Sequence, residues 1–132
     1  MSSAEIKANR PLSPHIQIYR WQLSMEMSII HRVTGGALYF GTLLLAAWLV
    51  ALAIGPGPFA TAQAIAGSWF GLLVLFGYSW ALIHHMLGGL RYFVWDFGYA
   101  MGKPARDQIA LANLVLSIVI AIVLWAIGLM VG

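Results

Sequence analysis

Two adjacent histidines, His84 and His85, lie deep inside an apolar segment of this sequence. The first charged residue after them is Arg91, so at 1.5 Å per residue His85 lies about 9 Å inside the charged end of the segment. Neighbouring residues of a helix point about 100° apart, so the two imidazoles cannot serve one site. Ionisable residues inside membrane-crossing segments are costly and are therefore candidates for function.

Two glycines favour His85 as the working residue. Gly88 and Gly89 follow it by three and four residues and so share its face of a helix. An imidazole beside a turn without side chains suits a porphyrin, whose iron a neutral imidazole binds. The alternative is a histidine that hydrogen-bonds to a neighbouring helix, with glycines that serve only helix packing. A zinc site is disfavoured, because three or four nitrogen, sulfur or oxygen ligands do not converge here.

This chain cannot easily supply the second axial ligand of such a haem. A b-type haem in a membrane usually has two axial histidines, but His31 lies at the boundary of the first apolar segment and His15 lies further out. We therefore expect the opposing ligand to come from another polypeptide.

A second group of polar residues precedes the first apolar run. Ser24, Ser28 and Arg32 recur every four residues and would share one helix face. A lipid-borne molecule with a carbonyl head group could be hydrogen-bonded there, and His31 and Arg32 could neutralise haem propionates on the same side. The alternative is that Arg32 sets the topology and contacts lipid phosphates, while Ser28 serves helix packing.

The composition identifies the elements that must position these residues. The 132 residues are 61% hydrophobic and 8% charged, whereas about 25% of the residues of soluble domains are charged. Water-soluble, disordered and fibrous chains are thereby excluded. Three apolar runs, at 33–54, 69–94 and 109–131, reach the roughly 20 residues that cross a bilayer. We predict an all-α membrane protein, one domain over 1–132, with three transmembrane helices after a polar segment, 1–32.

The charges predict the topology of the three helices. The seven basic residues fall before the first run, near the end of the second run (Arg91) or between the second and third, and the connection 55–68 has none. Because Lys and Arg accumulate in cytoplasmic loops, we expect a cytoplasmic amino terminus and a periplasmic carboxyl terminus. The basic residues form no basic face, so nucleic acid is not an expected partner. The absence of cysteine excludes disulfides, c-type haem attachment and cysteine-ligated iron–sulfur clusters within this chain.

Three stretches resemble one family of respiratory proteins. They read RPLSPHIQIY at 10–19, SIIHRVTG at 28–35 and HMLGGLRYFVWD at 85–96. With three helices and an inward amino terminus, the chain strongly resembles, over nearly its whole length, the cytochrome b membrane-anchor subunit of succinate dehydrogenase, respiratory complex II.

The resemblance implies roles for individual residues. His85 matches the axial haem ligand and would bind the haem iron, Ser28 and Arg32 match the ubiquinone site, and His31 with Arg32 match positions near the haem propionates. Tyr92 departs from the family pattern, because many relatives have a second histidine there. A phenol would then contact the propionate, or the contact would be absent.

The resemblance also implies partners and a location. A haem b would be shared with a second membrane-anchor subunit, while a flavoprotein subunit and an iron–sulfur subunit on the inner face would oxidise succinate and pass electrons to ubiquinone. The chain would then be a non-flavin subunit of the enzyme, surrounded by membrane lipid. Residues 1–32 lack the character of a transit segment or a secretory signal, so we expect a bacterial inner membrane; the alternative is a mitochondrion-encoded chain.

Other functions are compatible with parts of the sequence. A fumarate reductase anchor would run the same path backwards with menaquinone, and the sequence distinguishes the two poorly. A di-haem anchor is disfavoured, because it would need four histidines deep in the membrane in one chain. A small transporter or proton channel would need paired acids or several buried polar residues, and a haem-free anchor would give no b-type absorption.

Overall fold

The structure is a computed structural model that describes residue 15 and residues 18–131. Within these residues the chain forms four α-helices and no strand: α1 (Leu23–Ile54), α2 (Pro56–Ala66), α3 (Trp69–Asp96) and α4 (Lys103–Val131). The helices α1, α3 and α4 are each long and apolar enough to cross a membrane. The predicted all-α architecture with three membrane-crossing helices is confirmed. The motif at 10–19 falls largely outside the described residues.

The membrane-crossing helices extend past the apolar runs at their predicted inner ends. The helix α1 begins at Leu23, ten residues before the run at 33–54, and α4 begins at Lys103, before the run at 109–131. Backbone hydrogen bonds do not require apolar side chains, so a helix continues into polar sequence until a breaker ends it. Ser24, Ser28 and Arg32 therefore lie on α1 itself and share the predicted helix face.

The connection between α1 and α3 contains a helix of its own, α2. Gly55 takes a backbone φ of 142°, which glycine adopts without strain, and this turn separates α1 from α2. Pro56 and Pro58 lie in the first turn of α2, where proline loses no helical hydrogen bond. The indole Nε1 of Trp48 donates to Oε1 of Gln63 at 3.1 Å, which ties α2 back to α1.

The helix α3 packs between α1 and α4, and it therefore carries the side chains that reach both neighbours. Small residues allow this close packing: Ala110 and Ala121 of α4 are fully buried. A Cβ atom at Gly41 of α1 would overlap the ring of Tyr78 on α3. Most large apolar side chains point outwards, as expected for helices that meet lipid or a partner chain.

Candidate functional site

The imidazole of His85 points from α3 towards α1. Its Nδ1 lies 3.0 Å from the backbone carbonyl oxygen of His31 and 3.3 Å from Oγ1 of Thr34. A carbonyl only accepts, so Nδ1 carries the proton and donates it. The neutral ring then has its lone pair on Nε2, which makes no hydrogen bond to another described residue. His85 is partly buried, and its free nitrogen is suited to a metal.

A glycine on α1 makes this approach possible. A Cβ atom at Gly35 would lie 2.9 Å from Cε1 of His85, closer than side chains pack. The ring therefore rests against bare backbone. At the next position, Gly36, a Cβ atom would meet nothing within 4 Å.

The ring of His31 lies directly on the ring of His85. The two centroids are 4.0 Å apart and the planes are inclined by 12°. His31 also covers Gly88, where a Cβ atom would overlap its Cδ2, whereas Gly89 has nothing within 4 Å. The sequence predicts space for a porphyrin beside the turn that carries these two glycines. In the structure, the imidazole of His31 fills that space at Gly88, and the space at Gly89 is open. The Nε2 of His31 is buried and has no hydrogen-bond partner among the described residues.

His84 points to the opposite neighbour, α4. It is fully buried, its Nδ1 lies 3.1 Å from Oγ of Ser117, and Nδ2 of Asn113 donates to its backbone carbonyl at 3.5 Å. The hydroxyl of Ser117 donates to the carbonyl of Leu114 at 2.8 Å, so it accepts from His84. The two adjacent histidines serve different interfaces, as their 100° separation predicts.

The polar pair Asn113 and Ser117 on α4 is not among the candidate residues predicted from the sequence. Asn113 and Ser117 are four residues apart in an otherwise apolar run, and this spacing places both on one face. That signal could have predicted a buried polar contact for this face, although not its partner on α3.

Ser28 and Arg32 lie at the edge of the three-helix bundle. At 100° per residue, they are rotated about 60° and 100° around α1 from His31, whose ring faces α3. Ser28 is partly buried and Arg32 is exposed. Neither side chain forms a hydrogen bond to another residue in the described part of the chain. Both groups can therefore meet a molecule that arrives from outside the bundle.

Arg91 is buried, which the sequence did not reveal. It is 3% exposed, and its guanidinium carbon lies 5.5 Å from the ring centre of Tyr92 and 5.0 Å from that of Trp95. Its Nε and Nη1 have no hydrogen-bond partner within the described residues. A guanidinium remains charged in proteins, and an unpaired buried charge is costly. Arg91 is thus more than the charged end of a helix; it is a candidate for binding an anionic group.

Comparison with known proteins decides the family. Residues 6–124 match the family described as succinate dehydrogenase/fumarate reductase transmembrane subunits. The chain belongs to this family. It is 42% identical over 116 residues to the succinate dehydrogenase cytochrome b556 subunit of Paracoccus denitrificans. This alignment covers 88% of this chain and 89% of that protein. The matched segment includes His31, Arg32, His84 and His85.

Other relatives come from Rickettsia prowazekii and Sus scrofa. The succinate dehydrogenase cytochrome b556 subunit of Rickettsia prowazekii is 36% identical over 121 residues, with 92% of this chain and 94% of that protein covered. The mitochondrial cytochrome b560 subunit of Sus scrofa is 39% identical over 116 residues, with 84% and 67% covered. The resemblance drawn from the sequence motifs is confirmed, and the chain is part of an oxidoreductase complex.

Proposed function

We propose that this chain, a membrane-anchor subunit of succinate dehydrogenase, binds one haem b through His85 and forms part of the site where ubiquinone is reduced. Both cytochrome names among the relatives support a haem. When bound, the haem supplies a one-electron redox centre inside the membrane.

One observation carries the ligand assignment: the hydrogen bond from Nδ1 of His85 to the carbonyl of His31, at 3.0 Å. Histidines that bind metals almost always donate their other ring N–H to a carbonyl, a carboxylate or water, which fixes the tautomer and the ring orientation. The neighbouring His84 has the same pattern, with Nδ1 at Ser117 and Nε2 without a partner among the described residues, but it is fully buried where α3 meets α4. Of the two histidines, His85 therefore fits the iron.

The opposing axial ligand belongs to the second membrane-anchor subunit in this proposal. His31 is the nearest other imidazole of the described residues, but its ring is stacked on His85 with the planes inclined by 12°. His31 would therefore not be a second ligand to an iron that His85 holds. Its buried Nε2, which lacks a partner among the described residues, is instead a donor for a haem propionate, together with Arg32.

Ser28 and Arg32 form this chain's part of the ubiquinone site. They lie one turn apart at the edge of the bundle, where a quinone can arrive from the bilayer. Arg32 stabilises the negative charge that develops on the quinone oxygen, and the hydroxyl of Ser28 donates a hydrogen bond to it. Residues that are already oriented towards the oxygen where negative charge develops stabilise the reduced quinone more than the oxidised quinone.

The remaining subunits carry the other chemistry. The flavoprotein and iron–sulfur subunits bind at the inner face and oxidise succinate there. The placement of basic residues supports a cytoplasmic amino terminus and a periplasmic carboxyl terminus, and the chain would lie in a bacterial inner membrane.

The test is to purify the complex from membranes through a tag on this chain. We expect succinate:ubiquinone activity, three partner polypeptides on a denaturing gel, and b-type bands in the reduced-minus-oxidised visible spectrum. A complete and active complex without these bands would contradict the haem assignment. The chain purified without partners from membranes that retain the activity would contradict the anchor assignment.

A further inference from the structure

Thr34 is buried beside the imidazole of His85. It is 3% exposed, and its Oγ1 lies 2.9 Å from the carbonyl oxygen of Ile30 and 3.0 Å from that of His31. A hydroxyl has one proton to donate, and one of these carbonyls takes it. The lone pairs of Oγ1 remain, and Nδ1 of His85 lies 3.3 Å away.

The N–H of His85 is thus shared between two acceptors on one turn of α1. The carbonyl of His31 is the nearer, at 3.0 Å, and the hydroxyl of Thr34 is the second. Threonine is stiff about χ1 because it is branched at Cβ, and the contact with a backbone carbonyl holds its hydroxyl further. The acceptor is therefore fixed in place rather than recruited after the ring has rotated.

From this geometry we propose that Thr34 is a positioning residue for the His85 imidazole, and that its hydroxyl adjusts the reduction potential of the haem. The inference rests on the proposed function, because it requires His85 to be an axial ligand. Thr34 itself touches the ligand and not the iron.

The direction of the effect follows from the hydrogen bond. An acceptor at Nδ1 makes the imidazole a more basic ligand, and a more basic ligand favours the oxidised iron. Without the hydroxyl, the potential rises. The bond at 3.3 Å is long, and a neutral hydrogen bond contributes about 1 kcal/mol. We expect the equilibrium between the two oxidation states to shift about five-fold and not more than about ten-fold, which corresponds to 59 mV for a one-electron couple.

The experiment compares four forms of the intact complex. Thr34→Val removes the hydroxyl and keeps the shape, and Thr34→Ser keeps the hydroxyl. Thr42→Val is the matched control, because Thr42 lies on the same helix and, among the described residues, bonds only to the carbonyl of Leu38, at 2.8 Å, in an exposed position. Redox titration of the haem absorbance gives the potential, and the spectrum gives the haem content. We expect a higher potential for Thr34→Val, with wild-type values for Thr34→Ser and Thr42→Val.

Other outcomes separate the possible causes. A wild-type potential in Thr34→Val, or the same rise in Thr34→Ser, overturns the inference. If Thr34→Val loses its haem, Thr34→Ala is the deciding variant. Loss of haem in Thr34→Ala, with haem retained in Thr34→Ser, supports a requirement for the hydroxyl. Normal haem content and a normal potential in Thr34→Ala overturn the inference. If His85→Ala keeps the haem, the proposed ligand itself fails, and that result is distinct from a failure of Thr34 alone.

Discussion

The variant Gly35→Ala separates the stability of the helix from the integrity of the haem site. Within a helix, alanine is more favourable than glycine by about 1 kcal/mol. Helix propensity by itself therefore predicts that the substitution stabilises α1. The new Cβ atom would lie 2.9 Å from Cε1 of His85, whereas ordinary contacts begin at 3.4 Å. The imidazole must therefore retreat by about 0.5 Å. One face of the ring is covered by the stacked imidazole of His31, so it has little room to move without losing its hydrogen bond.

A shift of this size is large for a metal ligand, because ligand distances are held within about 0.2 Å. Disturbing the partners that orient a ligand costs about 10- to 100-fold in metal affinity, and we expect a similar loss of haem affinity in Gly35→Ala. Haem content per complex and the rate of haem transfer to apomyoglobin measure it. Gly128→Ala is the control, since a Cβ atom there meets nothing within 4 Å. Wild-type haem retention in Gly35→Ala, at equal complex yield, would refute the reasoning.

Three further variants test other parts of the account. Ser28→Ala is expected to remove a hydrogen bond worth about 1–3 kcal/mol in the reduction step, and so to lower the quinone-dependent rate about ten-fold or more. Electron transfer from succinate to an artificial acceptor should stay normal, and a parallel fall of both rates would indicate a role in assembly. A cysteine at Gly57 should react with an impermeant thiol reagent from the outer face, and labelling only from the inner face would contradict the topology. Ser117→Ala removes the acceptor of the buried His84 N–H and should lower the Tm of the complex while haem content is kept; an unchanged Tm, equal to that of Ser79→Ala, would contradict the role of this contact.

The three membrane-crossing helices could be predicted from the sequence because apolar length is a direct physical requirement for crossing a bilayer. The helix ends could not, because a helix continues into polar sequence without any signal in hydropathy. The helix α2 was hidden for a related reason. Pro56 and Pro58 are typical of loops, yet in the first turn of a helix they are well tolerated.

The candidate site could be predicted in its residue types and not in its contacts. The 100° rotation between His84 and His85 separates their faces, but it does not say which neighbour each face meets. The hydrogen bond from His85 is donated to a backbone carbonyl. Because every residue has a backbone carbonyl, no pattern of side chains in the sequence predicts this bond. The stacking of His31 on His85 and the burial of Arg91 depend on how three helices approach one another, which local spacing does not specify.

The haem content of His85→Ala and His84→Ala complexes tests the central assignment most directly. Both variants remove an imidazole from the same turn of α3, and size-exclusion chromatography shows whether each complex remains whole. The pyridine haemochrome spectrum then gives the haem per complex. We expect His85→Ala to lose most of its b-type haem and His84→Ala to keep most of it. Equal haem content in the two intact complexes would contradict His85 as the axial ligand.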